Sequence, residues 1–383
     1  MKIRDVTPFV VPQPNDRAWV FVRVDTDEGL VGWGEAGGNA AGTAESVRSA
    51  LLELKPDLLG RSVEDVEPIW HAIYRRYTYF GSRGFGTAVA SGIDIALWDL
   101  KGQAAGRPVY DLLGGRFRER ITLYSNSWFD GAGITPEGYA TAAREQLLPF
   151  GHMACKLDPF FEMRPYHRMY QSGEISQAGE QLGYDVVAAV REVVGSAFEI
   201  LIDAHGHYNV PTAIRLANTL YERSRIGWFE EPVPPESNDA LRAVREHTGC
   251  AIAVGERLRT RWDFLPVLQG RLADYVMPDT VWTGGISEAK RIAALAEVYN
   301  VPVSPHVVPM GPLELLSAAH VVSSIPNFYR LEHSHSLIPV HHQALTEPYQ
   351  IENGHLILNG KPGLGYALNE DWLRAHAAST KPA

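Results

Sequence analysis

Residues 200–209 read "ILIDAHGHYN", an apolar run suited to a buried strand that ends in Asp203, His205 and His207. Taken alone, such an ending is explained by Asp and His capping the next helix. The pattern returns downstream in "GWFEEP" at Glu230, "AIAVGE" at Glu256, "DYVMPD" at Asp279, "VPVSPH" at His306 and "NFYRLE" at Glu332. The steps from Asp203 onward are 27, 26, 23, 27 and 26 residues, about what a strand, a helix and two short connections require. Two earlier stretches, "ITLYSNSW" from residue 121 and "HMACKLD" from residue 152, begin the series and bring it to eight strands. Eight strands alternating with helices predict a parallel (β/α)8-type barrel, with function on the loops at the C-terminal ends of the strands.

The flanks read differently. "AWVFVRVDTDEGLVGWGEA" (18–36) is strand, Asp-Glu-Gly turn, strand. Residues 44–114 read as helices, the last carrying Ile93, Ala96, Leu97 and Leu100 at helical spacing, with Gly114 and Gly115 expected to stop it. After about residue 345, "YQIENGHLILNGKPGLG" is a hairpin-like stretch with an Asn-Gly turn, unlike the barrel units. The organisation expected is a first α+β domain over 1–118, the barrel over 119–345, and a segment 346–383 that returns to the first domain.

With 45% hydrophobic residues among 383, the chain can bury a large core. Lys and Arg total 35 against 45 Asp and Glu, a formal charge of −10, and no basic cluster suggests a nucleic-acid or membrane surface. Cys155 and Cys250 give no disulfide framework, and Cys155 is expected as a buried small apolar residue. "MKIRDVTPFVV" lacks a signal peptide's pattern, and no run approaches the ~18–20 apolar residues of a membrane span. The expectation is a cytoplasmic protein, a homo-oligomer, with no nucleic-acid or membrane partner.

Asp203, Glu230 and Glu256 come from consecutive strands, so the barrel sets three carboxylates side by side. Alone they repel, and a hard divalent cation resolves this; oxygen-only donors suit Mg²⁺ better than zinc. The plainer reading pairs one or two of them with Arg257 or Arg259. Glu231 follows Glu230, only one of the two can point inward, and spacing does not choose between them. Asp279 and His306 end adjacent strands, and an imidazole oriented by a carboxylate is a better base.

"CKLD", "IDAHGH", "WFEEP", "GER", "PDTVWTGGISEAKRIA", "SPH" and "RLE", in that order, resemble the mandelate racemase branch of the enolase superfamily, and "GWGE" and "GIDIALWDLKG" resemble its capping domain. The resemblance covers nearly the whole chain. It implies a modified TIM barrel with an N-terminal capping domain completed by the C-terminal segment. It makes Asp203, Glu230 and Glu256 the Mg²⁺ ligands, the first Glu of "EEP" being the family ligand. Asp279 and His306 match the dyad that removes the proton next to a carboxylate, and Glu332 matches the residue that hydrogen-bonds the resulting enediolate.

The second strand departs from the racemase pattern Lys-x-Lys: it reads Lys156, Leu157, Asp158, so the usual lysine base on the opposite face is missing. The Asp-x-His of Asp203 and His205, placed on one side by period two, instead resembles sugar-acid dehydratases of the galactonate type, in which the histidine protonates the departing hydroxyl. The expected substrate is a small sugar acid. Lys156 is expected to meet its carboxylate or a hydroxyl, or else to pair with Asp158, itself a candidate substrate contact. Residues 11–19 and 79–86, through Trp19 and Arg83, and the insertion after Asp158 are expected to close over the barrel mouth and set specificity. His207 is read as a loop histidine, exposed or reaching the mouth. The alternatives are a racemase, epimerase or cycloisomerase using the same enediolate, and a barrel that binds a metal and a sugar acid without turnover.

Overall fold

The computed structural model describes residues 1–38, 40–166, 172–307 and 309–378. Part of the insertion after Asp158, residues 167–171, lies outside them. The first domain opens on an antiparallel sheet of β1 (Ile3–Gln13), β2 (Arg17–Thr26) and β3 (Val31–Ala36), with Phe9 opposite Phe21 and Val22 opposite Gly34. Residues 11–19 are therefore two strand ends around a three-residue turn, 14–16. Helices Ala41–Leu58, Val66–Arg76 and Thr87–Ala105 cover the sheet. The last of these lies directly on β3: a Cβ at Gly34 would stand 2.0 Å from the Gly92 carbonyl oxygen, so only a bare backbone fits.

That helix is apolar on nearly every side because it is wedged between the sheet and the barrel, where Asp94 accepts the Ser287 N–H (3.0 Å) and the Trp98 indole donates to Ser287 Oγ (2.8 Å). It stops earlier than the glycine pair suggests. Gly106 takes the left-handed cap (φ 63°), Pro108 opens a separate turn at Val109–Leu112, and Gly114 and Gly115 follow that turn.

The barrel strands are β4 (Ile121–Asn126), β5 (Ala154–Leu157), β6 (Glu199–Asp203), β7 (Trp228–Glu230), β8 (Ala251–Val254), β9 (Tyr275–Val276) and β10 (Leu331–Ser334); each pairs in parallel with the next up to β9, and β10 pairs with β4. The seventh position is reduced to bridges from Val303 to Val276 and to Phe328. Helices follow the strands, and Thr135, Ser176, Asn209 and Ser237 accept backbone N–H groups at the starts of four of them. Inside the barrel Tyr124, Ala154, Leu201, Trp228, Ala253 and Met277 form one buried plug. Two residues beyond Tyr124, Ala154, Leu201 and Trp228 the strand again points inward, now at the open end, and this alternation delivers Asn126, Lys156, Asp203 and Glu230 to one place. Asp279 stands past the end of β9, at the start of the turn Thr280–Thr283.

The C-terminal segment divides. β11 (Gln350–Glu352) and β12 (His355–Ile357) form a hairpin about Asn353–Gly354, and β12 pairs with the start of β4 on the barrel. Only the rest reaches the first domain, where Leu364 N–H donates to Asp99 (2.8 Å), Gly363 bridges Pro108 and helix Glu370–His376 lies near β1. No described helix is long and apolar enough to cross a membrane.

Candidate active site

The open end of the barrel holds a row of buried carboxylates: one oxygen from each of Asp203, Glu230 and Glu256 lies within 4.8 Å of the others. Asp203 and Glu230 arrive by strand alternation. Glu256 does not, because Gly255 holds φ at 148°, with no room for a Cβ against the Met277 backbone (2.6 Å), and this twist brings in the next residue. Glu230 rather than Glu231 joins the row. Glu231 has φ 41° and turns away to an ion pair with Arg257, which also reaches Glu256 at 3.3 Å.

Lys156 stands at the centre, fully buried, with Nζ 3.0 Å from Asp203, 2.9 Å from Glu230 and 2.9 Å from Glu332. It does not pair with Asp158. Burial opposes its charge, but these three carboxylates hold its ammonium well above the usual range. Burial likewise raises Asp203, yet His205 and Lys156 hold it below the ordinary value. Glu230 is pushed well above its own, by burial and by Asp203. One lysine does not compensate the row, and a divalent cation on an all-oxygen donor set would; the residues fit Mg²⁺. Glu332 accepts from Asn126 (2.9 Å) and from the Val307 N–H (3.1 Å); against its burial, Lys156 and His306 keep it ionised.

Two histidines flank the row. His306 Nδ1 lies 2.7 Å from Asp279, its Nε2 lies 3.4 Å from Glu256, and its ring stacks on Trp282 at 5.4 Å. Asp279 is itself fixed by the Val281 N–H it caps (2.8 Å). At the other end His205 Nδ1 lies 3.0 Å from Asp158 and its Nε2 3.4 Å from Asp203. Burial lowers both imidazoles, but the carboxylates around them win and raise both: Asp203 first for His205, Glu332 first for His306. His205 is not placed by strand alternation. β6 ends at Asp203, and His205 sits at φ 48°, turned back so that its own N–H donates to Asp203 (3.1 Å). Asp158 is thus a partner of His205, as well as a lining residue of the cleft.

A cleft of about 690 Å³ opens over this centre; Lys156, Asp158, Asp203 and His205 form its floor, and Asn15 and Arg17 of the first domain overhang it. Trp19 borders the cleft but is 1% exposed, its indole donating to the Pro309 carbonyl (3.0 Å), so it is packing between domains more than open contact surface. Arg83 is a correction. Residues 79–86 do not line the cleft, and Arg83, about half exposed, pairs with Asp263 at the start of the helix Thr260–Gln269. His207 is buried rather than exposed, and burial pushes it down to about 4.

Sequence reasoning passed over Asn126, although it ends β4 as the acids end the other strands, and over Arg17 and Arg164, whose positions depend on turns. It also passed over Glu314, buried beside Asp279 and pushed well above the ordinary range by burial and by that neighbour.

The fold and the two-ended carboxylate centre define an enolase-type barrel enzyme class. Residues 8–114 match the mandelate racemase/muconate lactonizing enzyme N-terminal domain and residues 139–372 the enolase C-terminal domain-like family. The chain belongs to the mandelate racemase branch of the enolase superfamily. It is 35% identical to a D-galactonate dehydratase of Pectobacterium atrosepticum over 97% of this chain and 93% of that one. It is 34% identical to a D-gluconate dehydratase of Thermoproteus tenax over 98% and 74%. A solved enolase-superfamily member from Salmonella Typhimurium superposes with a TM-score of 0.90 at 32% identity, over 98% of both chains.

Proposed function

We propose that the chain is a Mg²⁺-dependent dehydratase of a sugar acid, an aldonate or aldarate, giving a 2-keto-3-deoxy acid. One observation carries this reading: two imidazoles, each oriented through Nδ1 by an aspartate, stand at opposite ends of a single carboxylate row. Dehydrating a 2,3-dihydroxycarboxylate needs a base at C2 and an acid at the C3 oxygen, and the two histidines fit those roles. The sugar-acid dehydratases among the relatives support it.

His306 Nε2 takes the C2 proton while Asp279 steadies the imidazolium that forms. Mg²⁺ held by Asp203, Glu230 and Glu256 would supply stabilisation of the negative charge that grows on the substrate carboxylate. Lys156 fixes the position of that carboxylate and adds a positive charge beside it, and Glu332, once it carries a proton, donates a hydrogen bond to the enediolate oxygen. The C2 electron pair then becomes the C2–C3 double bond, the C3–O bond breaks, and His205 gives its proton to the leaving oxygen, which departs as water. The enol left behind takes a proton at C3 and becomes the ketone.

The test is a keto-acid assay across aldonic and aldaric acids, followed by two variants on the substrate found. His306→Asn should lose dehydration and C2 hydrogen exchange together. His205→Asn should lose dehydration by about 10² to 10⁴-fold while still exchanging the C2 hydrogen with deuterated water. The reverse pattern would make His205 the base, and substrate consumed with inverted C2 and no keto acid would make the chain a racemase or epimerase.

A further inference from the structure

Glu332 and its neighbour His333 are adjacent on β10, so one faces the active site and the other faces outward through the barrel wall. His333 there meets His152, from the turn before β5, and His335, from the turn that follows β10. One ring nitrogen of each lies within 4.8 Å of one from each of the others. His152 and His333 are 2% and 1% exposed, and their Nε2 atoms are 3.3 Å apart. His335 Nε2 lies 3.0 Å from the Gln146 amide oxygen. None of the three Nδ1 atoms has a hydrogen-bond partner among the described residues.

We propose that His152, His333 and His335 form a structural site for a transition-metal dication of the Zn²⁺ type, separate from the carboxylate row and behind the barrel wall. Two imidazole nitrogens bound tetrahedrally at about 2.0–2.1 Å stand roughly 3.3–3.4 Å apart, and the His152–His333 pair already has that separation. His335 can donate Nε2–H only to an acceptor, and the Gln146 oxygen is one; this fixes the tautomer in which Nδ1 carries the lone pair, the usual way a supporting group prepares a ligating histidine. The buried Nδ1 of His335, the atom that would ligate, otherwise lacks a partner among the described residues, whereas buried polar atoms are nearly always paired. The Nε2 atoms of His152 and His333 meet each other and would exchange that contact for the ion. Nitrogen donors without a carboxylate select Zn²⁺, Co²⁺ or Ni²⁺ over Mg²⁺. Burial also keeps the rings neutral: it lowers His152 to about 4 and His333 well below its ordinary value, which is the ligating form. The bound ion would tie the 150–152 turn, against which the Asn353–Gly354 hairpin packs, to the end of β10.

The experiment uses the full chain without a histidine tag, stripped with chelator and held in saturating Mg²⁺, titrated with Co²⁺ and read by visible absorption. One Co²⁺ per chain with tetrahedral-type bands is expected, displaced by Zn²⁺ and accompanied by a rise in Tm. His335→Ala and His152→Gln should each abolish the bands, and Gln146→Ala should weaken binding about tenfold, the low end for a supporting partner. His335 is partly exposed, so His335→Ala carries the test should His152→Gln fail to fold. Absence of bands in the unsubstituted chain, or bands that survive His335→Ala, would overturn the proposal. So would bands that vanish only in Glu230→Gln, which would place the ion on the carboxylate row.

Discussion

The two ends of the carboxylate row are built from the same parts and are not alike. At the His306 end everything is closed: the imidazole is 7% exposed, Trp282 covers its face, and Asp279 is locked by the helix turn it caps. At the His205 end the imidazole is 21% exposed, rests on a left-handed turn, and forms part of the cleft floor with Asp158. Carbon-acid deprotonation needs a dry, fixed base, because a proton moved from carbon tolerates little misplacement. A group that hands a proton to a leaving hydroxyl must also let water out. The asymmetry fits the two halves of the proposed reaction.

Substitutions at the two ends test that contrast. The largest effect belongs to the row itself: Glu230→Gln should abolish turnover and weaken Mg²⁺ binding while circular dichroism stays native, whereas full metal affinity in that variant would turn attention to Glu231. Next come the orienting aspartates. Asp279→Asn should cost about 10³ to 10⁴-fold in kcat, as expected when an imidazole is left in the wrong tautomer. Asp158→Asn should cost only about 10 to 100-fold and shift the pH profile of kcat, since His205 keeps Asp203 as a second partner. Equal losses would show that the two ends are equally constrained. A smaller effect separates two arginines: Arg17→Ala, at the cleft, should raise KM roughly tenfold, about 1.4 kcal/mol, while Arg83→Ala should change relative rates on sugar acids by less than about twofold.

A last effect, on stability rather than on rate, concerns histidines with no carboxylate partner. His320 accepts the Tyr110 N–H at Nδ1 (3.2 Å) and donates Nε2–H to the Leu364 carbonyl (3.1 Å), so only the neutral ring fits, and burial lowers it to about 4. Its ordinary value is 6.5. Between those values the unfolded chain binds the extra proton, so stability is fully present above about pH 6.5 and is lost as pH falls toward 4, by about 1.4 kcal/mol per pH unit for one such group. Unfolding free energies measured from pH 7 to 4.5 should fall less steeply in His320→Asn than in the unsubstituted chain, in which Glu35 and Asp94, raised by burial to about 8 and about 7, contribute the opposite slope. The paired His205 and His306 have the opposite shift and should oppose the slope.

The periodic strand ends made the barrel and most of its rim readable. Asp203, Asp279 and Glu332 could be placed at the rim because apolar runs end on them at a near-constant step; the same step reaches Glu230, but only the family resemblance prefers it to Glu231. Asn126 obeyed the same rule and was missed only because it carries no charge. Glu256 lay at the correct repeat, but its inward turn depends on the φ of Gly255. Alternation predicts that His205 faces inward, and it reaches the site by leaving the strand instead. The sequence predicts Arg83 at the barrel mouth, and in the structure it pairs with Asp263 instead.

The sequence by itself determined the eightfold alternation, the first domain's hairpin and buried helix, and the residue types that would meet at the rim, because these follow from local periodicity. The tertiary structure alone decided which groups pair once they meet. Lys156 took Asp203, Glu230 and Glu332 rather than Asp158; Asp158 took His205; Glu231 took Arg257; and His333 found His152 on the outer side of the barrel wall. Pairing depends on distances between segments far apart in the chain and on the energy of buried charge, and neither is encoded in any one stretch.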